Sequence, residues 1–162
     1  MVKNLAIIID TSVFYGFFNR RDIHHMDSTC ILVHSLEGKW GKVYTSDLII
    51  SETYTLLRYR MGSHVAQAFL DMLRESGIKI LFLDEEHYEH VVNTLRRYSN
   101  VNLSFIDAFT IVAINRLNIK CLASYDESFN VIIKNVNIIG KGYAESLSEA
   151  EIRNVKSKLG LL

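Results

Sequence analysis

Strands alternating with helices along the whole chain predict an α/β fold, a mostly parallel sheet covered by helices on both faces. Three observations carry that expectation. Leu5–Ile9 is a continuous apolar run with three isoleucines, as expected of a strand buried on both sides. Further short apolar runs recur at Val43–Thr45, Lys79–Leu83, Lys120–Ala123 and Val136–Ile139. Between them lie longer stretches with apolar residues at helical spacing, such as Val65, Ala66, Phe69, Leu70 and Leu73.

Each element has its own start and stop. Thr11-Ser12 can cap a short helix through Val13–Phe18, after which Arg20–His25 is a polar loop. Asp27 or Ser28 is positioned to cap a second helix that runs to Leu36 and ends at Gly38. Ser46 or Asp47 opens a helix to about Met61, stopped by Gly62; Ser63 caps the next, stopped by Gly77. Asp84 caps a helix through Tyr98, and Asn100–Asn102 make a turn. Ser104 begins a helix to Leu117, and Ser148 caps a C-terminal helix of about residues 148–158. Proline is absent, so Ser, Asp, Asn and Gly must set every boundary.

A chain of 162 residues, 49% hydrophobic and 22% charged, suits one domain over 1–162 with one continuous core. Eighteen basic and 18 acidic side chains balance, so a nucleic-acid partner would need a local basic patch or a metal ion. The N-terminal apolar run ends at Asp10 without a cleavage pattern, and no stretch approaches a membrane span, which points to a cytoplasmic protein. Cys30 and Cys121 lie far apart without metal-ligand spacing and read as buried, reduced thiols. Gly140-Lys141-Gly142 lacks the spacing of a phosphate-binding loop. Lys141, Arg153, Lys156 and Lys158 read as a solvated basic face, and His87 and His90 lack a third zinc ligand.

Four acids stand at or near the ends of apolar segments: Asp10, Glu52, Asp107 and Asp126. Carboxylates stay exposed unless paired or metal-bound, because desolvating an unpaired charge is expensive. If the fold gathers these four, the pocket suits a hard divalent cation such as Mg²⁺ or Mn²⁺. Open parallel sheets place their sites at the carboxyl ends of the strands, where Asp10 and Asp126 fall. Each acid also has a purely structural reading. Asp10 could cap a helix, Glu52 could be a solvated surface residue, Ser104-x-x-Asp107 is a capping-box pattern, and Asp126 could start a turn. Ser12 is placed to hydrogen-bond a ligand carboxylate or a metal-bound water, and Ser124 and Glu127 add oxygens beside Asp126.

The segments Ile9-Asp10-Thr11-Ser12, Ser51-Glu52, Leu103-Ser104-Phe105-Ile106-Asp107-Ala108 and Leu122–Phe129 resemble, in order, the four motifs of PIN-domain nucleases. The resemblance spans about residues 5–140. It implies a three-layer α/β/α domain and Mg²⁺- or Mn²⁺-dependent hydrolysis of RNA phosphodiesters, leaving 5′-phosphate and 3′-hydroxyl ends. It also implies, for a small stand-alone member, the toxin of a VapC-like toxin–antitoxin pair, homodimeric and inhibited by an antitoxin peptide. Carried over by position, Asp10, Glu52, Asp107 and Asp126 are catalytic metal ligands or metal-water partners. Ser124 stands where many members have threonine, and its hydroxyl can still orient a carboxylate. Arg20 and Arg21, with Arg58 and Arg60, are candidate phosphate contacts beside Ser12.

Other readings compete. A housekeeping RNA-processing nuclease shares these residues, and a PIN-like scaffold could bind RNA or protein without cutting. A phospho-aspartate enzyme of the dehalogenase kind wants a second Asp two residues after Asp10, where Ser12 stands. A receiver domain wants an acidic pair that nothing before Asp10 supplies. Tyr54, Leu57, Tyr59 and Phe69 could serve a dimer surface or the core.

Overall fold

The computed structural model describes residues 5–160, so residues 1–4 and 161–162 of the expected domain lie outside the described residues. Five parallel strands form one sheet in the order β3-β2-β1-β4-β5. They are β1 (Ala6–Ile9), β2 (Lys42–Ser46), β3 (Lys79–Leu81), β4 (Cys121–Ala123) and β5 (Asn137–Ile139). The helices are α1 (Thr11–Phe18), α2 (His25–Leu36), α3 (Asp47–Met61), α4 (Ser63–Ser76), α5 (Glu85–Arg97), α6 (Phe105–Leu117), α7 (Phe129–Ile132) and α8 (Glu149–Lys158).

The three-layer α/β/α architecture follows from the alternation of β1. Side chains along a strand point to opposite faces in turn. Ile7 and Ile9 join the buried cluster made with Val13 and Phe14 of α1, Ile31 of α2, Ile49 of α3 and Phe69 of α4. Ala6 and Ile8 join the opposite cluster, with Ile111 and Ile114 of α6 and Phe129 of α7. All three isoleucines are fully buried. A strand apolar at every position therefore commits the chain to two helical layers.

Strand order positions the site. From β1 the chain moves outward to β2 and β3, then crosses back to lay β4 on the other side of β1. The register pairs Ile9 with Ala123, so the residues that follow, Asp10 and Ser124, emerge side by side. Asp10 N donates to Ala123 O at 3.0 Å and fastens that junction. Such a switch point opens a crevice at the carboxyl edge of the sheet.

Most boundaries lie where the turn chemistry puts them. Ser46 accepts from Ile49 N, Asp84 accepts from His87 N, and Ser148 closes a full capping box with Glu151. Gly77 takes the left-handed C-terminal position of α4, with φ of 73°. Four expectations need correction. Helix α1 begins at Thr11 itself, with Asp10 rather than Thr11 or Ser12 at its N-cap position. Helix α2 starts at His25 without a side-chain cap, because the Asp27 carboxylate instead accepts from Gly142 N and Ala144 N across the fold. Gly62, not Ser63, holds the N-cap position of α4. Strand β3 ends at Leu81 rather than Leu83, and Leu83 N turns to the Asp47 carboxylate. Leu57 and Phe69 are core residues, with Phe69 edge-on to Phe14 at 5.2 Å, while Tyr59 stands 84% exposed. Cys30 and Cys121 are buried and free. Among the described residues no helix is long and apolar enough to cross a membrane.

Candidate active site at the β1–β4 edge

Asp10 sits at the N-terminal end of α1, yet its side chain makes no cap hydrogen bond. It is 7% exposed and accepts from two serine hydroxyls, Ser124 Oγ at 2.9 Å and Ser12 Oγ at 3.1 Å. Both meet Oδ2, leaving Oδ1 without a side-chain partner among the described residues. Burial pushes the carboxyl up to about 6; hydrogen bonds from Ser124, the Thr11 backbone and Ser12 oppose this, and the Asp107 charge adds to it. No cation offsets it, for none of the salt bridges among the described residues involves Asp10, Glu52, Asp107 or Asp126.

The two serines are themselves held. Ser12 Oγ accepts from Tyr125 N and Ser124 Oγ accepts from Asp126 N, each at 3.1 Å. The loop after β4 is thus tied to the acid at the end of β1. Tyr125 is anchored from its other end by Ser28 Oγ at 2.7 Å and stacks on His24, ring centroids 4.1 Å apart. Beside this stack lies a cavity of about 400 Å³ whose walls include Ser124, Asp126 and Lys141.

The remaining acids approach from the helices. Thr11 Oγ1 donates to Glu52 Oε2 at 2.5 Å, and buried Thr53 donates to Thr11 at 3.3 Å. The start of α1 therefore aims an exposed carboxylate of α3 toward the same edge. Asp107 forms the capping box its spacing suggests, with Ser104 N donating to Oδ2 at 2.9 Å and Asp107 N donating to Ser104 Oγ at 3.0 Å. Its charge nevertheless acts on the Asp10 carboxyl, the smallest of the contributions that set the pKa of that group. Asp126 is exposed, and its Oδ1 accepts from Ser128 N at 2.8 Å in a local turn.

The geometry thus draws Asp10, Ser12 and Ser124 into contact, brings Asp107 within electrostatic reach, and fixes Glu52 through Thr11. Asp126 joins through its backbone. Among the described residues no three His, Cys, Asp or Glu side chains form a ready-made metal-ligand cluster. The donor chemistry still suits a hard cation, since a buried carboxylate with no positively charged partner gains most from one. Arg20 and Arg21 stand apart from these acids, in an exposed groove at the far end of α1. Sequence reasoning missed Thr11 as the orienter of Glu52, Thr53 behind it, and the His24–Tyr125 stack. A separation of 41 residues between Thr11 and Glu52 leaves no local signal for the first of these.

The chain matches the PIN domain family over residues 7–135. It is 36% identical over 157 residues to a VapC ribonuclease of Archaeoglobus fulgidus, covering 96% of each chain. The crystal structure of Mycobacterium tuberculosis VapC20, described as a Sarcin-Ricin loop cleaving toxin, superposes with a TM-score of 0.71 at 23% identity, over 81% of this chain and 98% of that one. VapBC2 of Rickettsia felis, solved with a DNA fragment from its promoter, gives 0.59 at 14% identity, over 83% and 97%. At those identities the two structures bear on the fold alone.

Proposed function

This chain belongs to the PIN-domain family, and from that premise we propose that it is a Mg²⁺- or Mn²⁺-dependent endoribonuclease, the toxin of a toxin–antitoxin pair. The observation that carries the reading is the Asp10 carboxylate, buried at the β1–β4 switch point, held by two serine hydroxyls and without a basic side chain paired to it among the described residues. The kinship with a VapC ribonuclease over nearly the whole chain supports it.

In this reading Asp10 and Asp107 would hold the cation, with Glu52 and Asp126 as further ligands or partners of its water. When bound, the cation supplies positive charge against the charge that develops on the phosphate, and lowers the pKa of a bound water. The chain's own residues do the rest. Ser12 and Ser124 both hold Oδ2 of Asp10 and so fix its rotamer. Thr11 does the same for Glu52. Glu52 or Asp126, both exposed, orients the attacking water and takes up its proton. A water oxygen bonds to phosphorus as the bond to the 3′-oxygen breaks; the 3′-oxygen leaves with the bonding pair and takes a proton from solvent water, giving 5′-phosphate and 3′-hydroxyl ends.

Removing the Ser124 hydroxyl tests the orienting role. Ser124→Ala is expected to lower metal-dependent cleavage about 10–100-fold, as losses in the outer shell of metal sites do. Ser124→Thr keeps the hydroxyl and is expected to restore it. Equal rates for Ala and Ser would remove Ser124 from the site.

The assignment as a whole is tested on a panel of structured and single-stranded RNAs with Mg²⁺, Mn²⁺ or EDTA. Cutting that needs the metal and leaves 5′-phosphate ends is the expected result. No cutting of any RNA by folded, metal-loaded protein would overturn it. For the toxin reading, expression alone should arrest growth of the host cell, in whose cytoplasm the substrate RNA resides. The neighbouring antitoxin product should relieve the arrest by binding the chain as a homodimer; growth unaffected by high expression would refute it.

A further inference from the structure

We propose that a second, purely cationic subsite for RNA phosphates lies at the far end of α1 and α3, about 12 Å along the helices from the acidic centre. The subsite rests on the ribonuclease reading above and adds to it how the strand is held.

The facing stripes of the two helices connect the two places. On α1, Thr11, Tyr15 and Phe18 fall on one side at helical spacing. On α3, Glu52, Leu56 and Arg60 repeat every fourth residue. The stripes meet at the Thr11–Glu52 hydrogen bond. At their other end they line a single groove of about 640 Å³, whose walls include Tyr15, Phe18, Arg20, Arg21 and Arg60.

Arginines near helix C-termini often only answer the helix dipole. These three do more, because they come from the turn after α1 and from the end of α3 and converge on one concavity. All three are exposed, and none pairs with a carboxylate among the described residues. A chain of zero net charge thus keeps unneutralised guanidinium groups together on one face. Guanidinium forks bind phosphate oxygens in pairs, and the aromatic walls offer faces on which bases stack. The spacing from Glu52 to Arg60 matches about three or four stacked nucleotides of one strand. An RNA with its scissile phosphate at Asp10 and Asp107 would therefore place another phosphate among the arginines.

The test is binding of a fluorescein-labelled single-stranded RNA of about twelve nucleotides, followed against salt in an Asp10→Asn background so that the strand stays whole. Adding Arg20→Ala and Arg60→Ala is expected to weaken binding on the order of 10-fold and to flatten the salt dependence by about 1.4, at about 0.7 for each phosphate no longer neutralised. The Arg20→Lys, Arg60→Lys pair should keep the salt slope. The effect should shrink for a dinucleotide, too short to span both places. Unchanged affinity and slope in the alanine pair would overturn the subsite and leave the groove to an acidic peptide. A lysine pair whose salt slope flattens as much as that of the alanine pair would overturn it too, since the retained charge would then not be meeting phosphate. Wild-type cleavage, scored separately, decides the nuclease reading, so the two can fail independently.

Discussion

Asp10→Asn is expected to reduce metal-dependent RNA cleavage about 10³-fold, the equivalent of the several kilocalories that a bound cation contributes to charge stabilisation. The substitution is nearly isosteric. The amide oxygen can still accept from Ser12 and Ser124, so the loop tied to those serines should keep its place. What disappears is the negative charge and the second oxygen. The measurement is single-turnover cleavage under saturating Mn²⁺, beside near-ultraviolet circular dichroism to show that the fold is intact. A folded variant that cleaves within about tenfold of wild type would mean that the buried carboxylate does not hold the metal.

The same residue makes a prediction about stability with the opposite sign. The Asp10 carboxyl is raised from 3.8 to about 6 in the folded chain, first by burial. A group whose folded pKa is raised favours the folded state fully below its unfolded pKa, and that contribution is lost as the pH rises through the folded pKa. Between pH 4 and pH 7 the metal-free protein is therefore expected to lose about 3 kcal/mol of stability through Asp10, counting about 1.4 kcal/mol for each pKa step. Asp10→Asn cannot ionise and should escape that loss. The variant is thus expected to be more stable than wild type at pH 7.5 in EDTA and equal to it near pH 4. Mg²⁺ should raise the stability of wild type at pH 7.5 and leave the variant nearly unchanged. Urea unfolding at the two pH values, with and without Mg²⁺, gives all of these quantities. A wild type as stable as the variant at pH 7.5 in EDTA would show that the carboxylate already has a stabilising partner.

The two predictions together describe a residue placed for chemistry at the expense of the fold. Fold stability alone would favour an uncharged residue between Ser12 and Ser124, whereas a cation site needs the charge there. Asp107 behaves differently. Its capping box makes it useful to α6 whether or not a metal is bound, so the stability of an Asp107 variant does not isolate its part in the site.

Much of this was legible in the chain. The unbroken apolar run before Asp10 demands helices on both faces, and Ser46, Asp84, Ser104 and Ser148 announce their helices, because capping is a contact between near neighbours in sequence. Asp10, Asp107 and Asp126 stand out as candidates because a charge at the end of a buried strand or on a buried helix has few structural uses, whereas Glu52 and Ser124 became candidates only beside them and through the family resemblance. Contacts across the fold had no such signal. Asp27 looks like a helix cap and is instead a clamp on Gly142 and Ala144, 115 and 117 residues away. Thr11 looks like a cap and aims Glu52 instead.

Local hydrogen-bonding chemistry and hydrophobic period, then, settle the elements, the two-layered burial and the identity of the candidate acids. Only the tertiary structure decided which of those acids loses its water, which hydroxyls hold it, and where the free arginines converge. Burial, and the shift in pKa that follows it, belong to the assembled sheet edge, where β1 meets β4 across more than a hundred residues of chain.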